Sequence, residues 1–235
     1  MSFDFSFMVE TLKIGLKYLP MTLYISFTPL FFGLILGALI AILRMSHKKP
    51  LVVLTKWYIV IVRGIPPILM LLLFFLTMTR VFDSLMGFLH INISSSVIKP
   101  PTVVICALTV IASANFAETI RTSFKSVGKG QLEAAYSIGM TRLTAIRRII
   151  IPQALPVAIP IVANTFITLI KSSSLAYLLT VTDVLNGCKI HADVSYKFLE
   201  AYVAAAIIYY IICWGIEQGA KLLAKKSSYY IFKTL

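Results

Sequence analysis

Residues 126–151 read SVGKGQLEAAYSIGMTRLTAIRRIII and lie between two long apolar segments. The first part of this stretch favours a helix, because Ala134 and Ala135 belong to the residue type with the highest helix propensity. Gly139 predicts the end of that helix, since glycine adopts the left-handed conformation without strain. Thr141 is a suitable N-cap for a further helix. We therefore predict two short helices that meet at a glycine elbow.

The composition of the whole chain indicates an integral membrane protein. Of its 235 residues, 59% are hydrophobic and 13% are charged, and the mean hydropathy is +0.90. Soluble domains are about one quarter charged. A soluble domain of this length has no need of charge-free runs as long as a membrane is thick, so the polar stretch lies in a loop between membrane spans.

Five segments are long and apolar enough to cross a bilayer, whose hydrocarbon core requires roughly 20 apolar residues of helix. Two of them hold a basic residue, Arg63 in the second and Lys171 in the fourth. In the first span, Gly33 and Gly37 are four residues apart and predict a close helix contact. The predicted spans are residues 18–43, 57–79, 100–120, 152–179 and 200–220.

No low-complexity segment or linker divides the chain, so we predict a single all-α transmembrane domain over residues 1–235. Apolar residues before the first span recur at helical spacing, which predicts a helix along the membrane surface within residues 1–17. The long polar loop between the third and fourth spans covers residues 121–151.

The distribution of basic residues predicts the orientation of the spans. Fourteen of the 22 lysines and arginines fall in residues 44–56, residues 121–151 and the C-terminal tail, and six fall on the other side. The positive-inside rule then places the N-terminus outside and the C-terminus in the cytoplasm. The same rule explains the net charge of +13. Nucleic-acid binding is the other interpretation of such a charge, but an arginine-rich tail is absent from this sequence, and we expect no nucleic-acid partner.

The sequence lacks the usual motifs of an ATPase or a metal site. A phosphate-binding loop requires a glycine where this chain has Ser123, and a serine or threonine after Lys129, where it has Gly130. The three histidines lie on different loops and the three cysteines are scattered. We therefore expect no ATP hydrolysis, no metal site, no catalytic residues and no cofactor in this chain.

The spacing of the polar loop resembles the coupling-loop signature of importer-type ABC transporter permeases. That signature is EAA, three residues, a glycine, nine residues and I-x-L-P. This chain matches it at Glu133–Ala135, Gly139 and Ile149–Pro152, with Ile151 where leucine is usual. The likeness extends over about residues 10–225 and is closest to the polar amino-acid branch, which serves histidine, glutamine, arginine and cystine. It is carried by RGIPP (63–67), ETIRTSFKSVGKGQLEAA (118–135), IIIPQALPVAIP (149–160) and IKSSSLAYLL (170–179).

The resemblance implies a type I importer permease in a bacterial inner or plasma membrane. Such a permease moves its substrate inward by alternating access, driven by separate ATPase subunits that bind ATP and magnesium. The other implied partners are a second permease copy or homologue and an extracellular or periplasmic amino-acid-binding protein. The implied substrate is a polar amino acid, and the overall likeness suggests L-cystine. The residues that the resemblance assigns to the ATPase contact are Gln131, Glu133, Ala134, Ala135 and Gly139.

Charged residues within spans are costly in lipid and are usually functional. Arg63 is expected either to reach the headgroups, to cap carbonyls freed by Pro66 and Pro67, or to contact the substrate. Glu118 lies three residues before Arg121 in the sequence and is expected either to pair with it or to contact the substrate.

Lys171 lies well inside the fourth span and is followed by three serines. Its ammonium group is expected to reach the outer surface, to pair with Asp183, or to bind a substrate carboxylate. In the amino-acid permeases that the chain resembles, this segment lies near the translocation path. Many of them carry an acid at the position of Ser172, and its absence here disfavours a strongly cationic substrate. The candidate residues of the substrate path are Arg63, Glu118, Lys171, Ser172, Ser173 and Asp183.

Two alternatives remain open at this point. The polar loop is also consistent with an interfacial hairpin that only joins two spans. A stand-alone secondary transporter or channel for amino acids is the alternative function, and it requires no docking loop. Five spans are few to enclose a pore, which favours a second permease chain.

Overall fold

The computed structural model describes the backbone of residues 3–234 and the side chains of residues 3–227. The described residues form helices joined by short turns and irregular segments, and they contain no strand. Short 3-10 helices cover Ser95–Val97 and Ser174–Leu179, and a π-helical turn covers Ile146–Ile150. The α-helices are α1 (Phe5–Lys17), α2 (Leu19–Arg44), α3 (Lys49–Gly64), α4 (Pro67–Phe88), α5 (Pro100–Ser126), α6 (Lys129–Ser137), α7 (Arg142–Ala145), α8 (Ile151–Ser173), α9 (Val184–Ala192) and α10 (Phe198–Thr234).

The predicted all-α fold with five membrane-length helices is confirmed. The helices long and apolar enough to cross a membrane are Leu19–Arg44, Pro67–Phe88, Pro100–Ser126, Arg142–Leu179 and Phe198–Ser227. The fourth is made of α7, the π-helical turn, α8 and the following 3-10 helix, which run on without a break.

The second span differs from its predicted position at residues 57–79. Helix α3 ends at Gly64 and α4 begins at Pro67, because two consecutive prolines lack backbone donors and exclude helical geometry from the preceding residue. Ile65 is accordingly extended, with φ −91° and ψ 126°. Arg63 therefore lies in the last turn of α3 with an exposed side chain, and it is not part of the membrane-length helix α4.

The centre of the bundle is the contact between α2 and α5. A Cβ atom added to Gly33 would lie 2.5 Å from the Cβ of Ala112, and one added to Gly37 would lie 2.6 Å from the Cβ of Phe116. Both distances are shorter than van der Waals contact, so only glycine permits this approach. The close contact predicted from the glycine spacing is confirmed. Phe116 is fully buried at this crossing.

Helix α1 packs against α9 and α10 through a buried face. Gly15 approaches the side chains of Cys188 in α9 and Ile208 in α10. The N-terminus of α1 is held by an ion pair, in which the ammonium of Lys197 donates to Asp4 Oδ2 at 2.7 Å. This hydrogen bond holds the pKa of the Asp4 carboxyl below its usual range. The location of α1 at a membrane surface stays a prediction.

Candidate coupling loop and translocation path

The glycine elbow of the polar loop has the geometry that the sequence predicts. Gly139 has a φ of +80°, in the left-handed region. Its N–H donates to the carbonyl of Tyr136 at 2.9 Å, and the N–H of Met140 donates to the carbonyl of Ala135 at 3.0 Å. These two bonds form a Schellman motif, which satisfies the last carbonyls of α6 and ends the helix. The elbow therefore depends on the one residue type without a Cβ.

The segment after the elbow is longer than the predicted second short helix. Thr141 caps it as expected, and its Oγ1 accepts from the N–H of Thr144 at 3.4 Å. The helix then passes through the π-helical turn into α8 without interruption. Pro152 lacks a backbone donor, but it closely follows the π-helical turn Ile146–Ile150, where the regular α-helical hydrogen-bond pattern is already altered, and the helix continues past it. The prediction of a separate short helix is wrong, and the elbow is the start of a membrane-length helix.

Four of the five residues predicted to contact an ATPase are exposed: Gln131, Glu133, Ala134 and Gly139. The fifth, Ala135, is 1% exposed, so its small side chain packs inside the chain and does not line the outer surface. Its position facing inward was not predictable from a helix of nine residues, whose apolar pattern is too short to define a face.

Two apolar side chains beside the elbow were missed by the sequence reasoning. Ile138 is 73% exposed and Leu143 is 76% exposed, on either side of Gly139. The loop is joined to the spanning helix by a hydrogen bond from Gln153 Nε2 in α8 to Gln131 Oε1 in α6, at 3.4 Å. The loop thus presents apolar and acidic groups outward while its base is fixed to α8.

Glu118 belongs to an ion cluster between α2 and α5. Arg121 donates to both carboxylate oxygens of Glu118, and Arg44 Nη2 lies 3.9 Å from Glu118 Oε2. The predicted pairing of Glu118 with Arg121 is confirmed. Because the carboxylate is shared by two arginines on two helices, this geometry supports a structural role, and the alternative of a substrate contact stays untested.

Asp183 is fully buried at the start of α9. Its Oδ1 accepts from the N–H of Asn186 at 2.9 Å, and its Oδ2 accepts from the hydroxyl of Tyr209 at 2.6 Å. Lys171 forms no ion pair with any side chain of residues 3–227, so of the three expectations for Lys171 the pairing with Asp183 is wrong. Asp183 is buried, with Asn186 and Tyr209 as its hydrogen-bond donors, whereas the Lys171 side chain is exposed.

Lys171 lines an open groove of about 490 Å³ between α8 and α10. Ser172 is half-buried, and Ser173 is fully buried with its hydroxyl donating to the carbonyl of Ile170 at 2.7 Å. Ser173 therefore does not reach the groove. The lining residues are Ile167, Lys171, Ala206, Tyr209, Tyr210, Cys213, Trp214 and Glu217.

Lys171 is also the last of three exposed polar residues at helical spacing on α8. Asn164 and Thr168 precede it by seven and three residues, and all three side chains are exposed. We call these three residues the polar stripe. Asn164 and Thr168 were missed by the sequence reasoning, although their spacing was readable. The hydroxyl of Thr168 donates to the carbonyl of Asn164 at 2.8 Å, so it is satisfied within the helix. The amide of Asn164 and the ammonium of Lys171 are unfavourable against lipid, which favours water or another polypeptide in contact with the stripe.

The described residues contain no group of three or more histidine, cysteine or acidic side chains placed to hold a metal ion. The site combines an exposed loop at the start of a spanning helix with a cation on the same helix, Lys171, beside an aromatic groove.

Comparison with known proteins gives three kinds of match. The family model described as "Binding-protein-dependent transport system inner membrane component" matches residues 33–228. The "Probable amino-acid ABC transporter permease protein PatM" of Vibrio harveyi is 36% identical over 216 residues, covering 92% of this chain and 91% of that protein. The "L-cystine transport system permease protein TcyL" of Bacillus subtilis (strain 168) is 35% identical over 231 residues, covering 97% and 94%.

Solved structures agree with these matches. A chain from the "Crystal structure of an amino acid ABC transporter with histidines" superposes with a TM-score of 0.80 at 32% identity, over 96% of this chain and 100% of that one. A chain of the MetNI methionine ABC transporter, in an inward-facing conformation, superposes with a TM-score of 0.71 at 20% identity, over 91% of this chain and 96% of that one. The second match shows the fold.

Proposed function

We propose that this chain, which belongs to the binding-protein-dependent transport system inner membrane components, moves a polar amino acid inward by alternating access. It is the permease subunit of an ABC amino-acid importer. It is a multi-pass protein of the inner membrane. The proposed orientation keeps the N-terminus outside and the C-terminus in the cytoplasm, as the positive-inside rule predicts.

The single observation that carries the proposal is the exposed polar stripe on α8. One chain leaves Asn164, Thr168 and Lys171 exposed on a helix long and apolar enough to cross a membrane. A second permease chain facing the stripe would enclose a polar path and remove the cost of exposing these groups to lipid. Either an identical copy or a homologous chain fulfils that role.

We propose that ATP-driven movement of the ATPase subunits reaches the substrate path through the polar loop, residues 121–151. The elbow at Gly139 is followed by one helix from Arg142 to Leu179, and this helix carries the polar stripe. A force applied to α6 by ATPase subunits would therefore act on the stripe through a continuous helix, as a rigid-body movement. ATP and magnesium would be bound by those subunits, and a binding protein would deliver the amino acid from the other side.

The substrate is proposed to be a neutral or polar amino acid such as L-cystine. Lys171 supplies an ammonium group for a carboxylate, and the groove beside it is aromatic and apolar apart from Glu217. The likeness to an L-cystine transport system permease supports this choice of substrate class.

Replacing Lys171 with alanine tests the proposed path. A charge-assisted hydrogen bond contributes about 1.5–3 kcal/mol, so the dissociation constant of the amino acid should rise on the order of tenfold or more. The measurement is equilibrium binding of labelled L-cystine, L-glutamine and L-histidine to the detergent-solubilised permease–ATPase complex. Lys13→Ala, which removes an exposed lysine from α1, is the matched control and should bind as the unaltered complex does. An unchanged dissociation constant for Lys171→Ala would contradict the proposal that the Lys171 groove is part of the substrate path.

A further inference from the structure

Tyr209 of α10 connects two parts of the molecule that have so far been described separately. Its side chain lines the groove that also contains Lys171. Its hydroxyl donates at 2.6 Å to Oδ2 of Asp183, a residue that is fully buried and does not line the groove. A residue that lines the groove is therefore held in one orientation by a buried hydrogen bond.

Asp183 is itself held in place by its neighbours. Its Oδ1 caps α9 by accepting from the N–H of Asn186 at 2.9 Å. The next residue, Val184, donates its N–H to the hydroxyl of Thr22 in α2 at 3.1 Å. Asp183 is thus held in place by the first turn of α9 and by the hydrogen bond of the adjoining residue to α2. Its hydrogen bond to Tyr209 therefore holds the tyrosine side chain in place as well.

Helix capping alone does not explain why this position carries a carboxylate. Asparagine caps a helix as well as aspartate does. Within residues 3–227, Asp183 has no ion-pair partner, and burial raises the pKa of its carboxyl above the usual range. A carboxylate in such a place is costly, and what it adds over an amide is a shorter and stronger bond from a hydroxyl. The bond from Tyr209, at 2.6 Å, has that short length.

We propose that Asp183 and Tyr209 form a positioning pair, which fixes the aromatic wall of the Lys171 groove and thereby tightens the binding of the transported amino acid. This inference rests on the proposed function, in which the groove contacts the substrate. Asp183 acts through Tyr209 and does not touch the amino acid. A groove whose aromatic side chain is already ordered binds the amino acid more tightly, because that side chain loses less conformational freedom on binding.

The test compares two tyrosines that each lose one hydroxyl hydrogen bond to another helix or helix start. Tyr209→Phe keeps the ring in the groove and removes the hydroxyl. Tyr58→Phe removes a hydroxyl that lies 2.6 Å from Ser113 Oγ, at the contact of α3 with α5 and away from the groove. Both variants are examined as purified permease–ATPase complexes for thermal stability and for equilibrium binding of labelled L-cystine, L-glutamine and L-histidine.

The positioning pair predicts that Tyr209→Phe loses more stability than Tyr58→Phe, because it leaves a buried carboxyl oxygen without its donor, and that the two variants also differ in binding. Tyr209→Phe should raise the dissociation constant of the bound amino acid about five- to tenfold, and Tyr58→Phe should leave it unchanged. Asp183→Asn, which retains the helix cap and one acceptor oxygen, should raise it by a smaller factor. If Asp183→Asn fails to fold, the pair of phenylalanine variants still decides the question.

Two different failures are distinguishable. If Lys171→Ala weakens binding while Tyr209→Phe binds as Tyr58→Phe does, the positioning pair is wrong and the proposed path stands. If Lys171→Ala and Tyr209→Phe both bind as the unaltered complex does, the groove is not part of the path, and the proposed path and the positioning pair are both wrong.

Discussion

Replacing Gly37 with leucine is expected to prevent the chain from accumulating as a folded protein. A Cβ at this position would lie 2.6 Å from Phe116 Cβ, 2.8 Å from the carbonyl oxygen of Ser113 and 3.0 Å from the N of Ala117. Two of these neighbours are backbone atoms, which cannot rotate away. Overpacking of a core costs about 1–3 kcal/mol for added methylene groups, and a leucine that forces two helix backbones apart should exceed that range.

The matched control for this prediction is Gly215→Leu. Gly215 also lies in a spanning helix, α10, but a Cβ there would have no neighbour within 4 Å. The measurement is the yield and the monodispersity of detergent-solubilised protein by size-exclusion chromatography, followed by thermal unfolding. Gly215→Leu should resemble the unaltered chain. A monodisperse Gly37→Leu protein with unchanged thermal stability would contradict the assigned packing of α2 on α5.

The second prediction separates the coupling function from folding. Gly139→Val should abolish ATP-dependent uptake while leaving the protein inserted and monodisperse. Gly139 has open space around it, so the cost of valine comes from its φ of +80° alone. A residue with a Cβ pays about 1–2 kcal/mol in the left-handed conformation, and a β-branched residue is a strong outlier there. The elbow is expected to change its direction and displace α6, because both bonds of the Schellman motif require that conformation.

Two further variants test this explanation of Gly139→Val. Asparagine tolerates the left-handed conformation, so Gly139→Asn should retain part of the uptake. Gly128→Val introduces the same side chain into the same loop, at a glycine with φ −59° and open space, and should retain most of the uptake. The uptake of labelled amino acid into proteoliposomes containing the ATPase subunits is the measurement. Full uptake by Gly139→Val would show that the left-handed conformation at Gly139 is not required to couple the ATPase subunits to transport.

The features that the sequence predicted correctly are those determined locally. Apolar composition over about 20 residues fixes a membrane-length helix whatever its neighbours are, and four predicted spans lie where the structure has them. The left-handed elbow at Gly139 follows from a single residue type in a polar helix. The spacing of Gly33 and Gly37 predicted the close helix contact because a missing Cβ acts directly at the crossing.

The features that were missed depend on other rules or on distant partners. Hydropathy continued the second span through Pro66 and Pro67, because a scale of transfer energies takes no account of missing backbone donors. One of the three expectations for Lys171 paired it with Asp183, but the side-chain partner of Asp183 is Tyr209, on a different helix. Opposite charges suggested the first pairing, whereas the buried site satisfies the carboxylate with a hydroxyl and with the backbone N–H of a helix start.

The central claim is that this chain transports an amino acid only when ATPase subunits drive it. The most direct measurement is the uptake of labelled L-cystine, L-glutamine and L-histidine into proteoliposomes that contain the permease and its cognate ATPase, with binding protein outside and ATP inside. We predict uptake that requires ATP, the ATPase subunit and an unaltered Gly139. Uptake at the same rate by proteoliposomes that contain the permease alone would contradict the claim and identify the chain as a stand-alone transporter or channel.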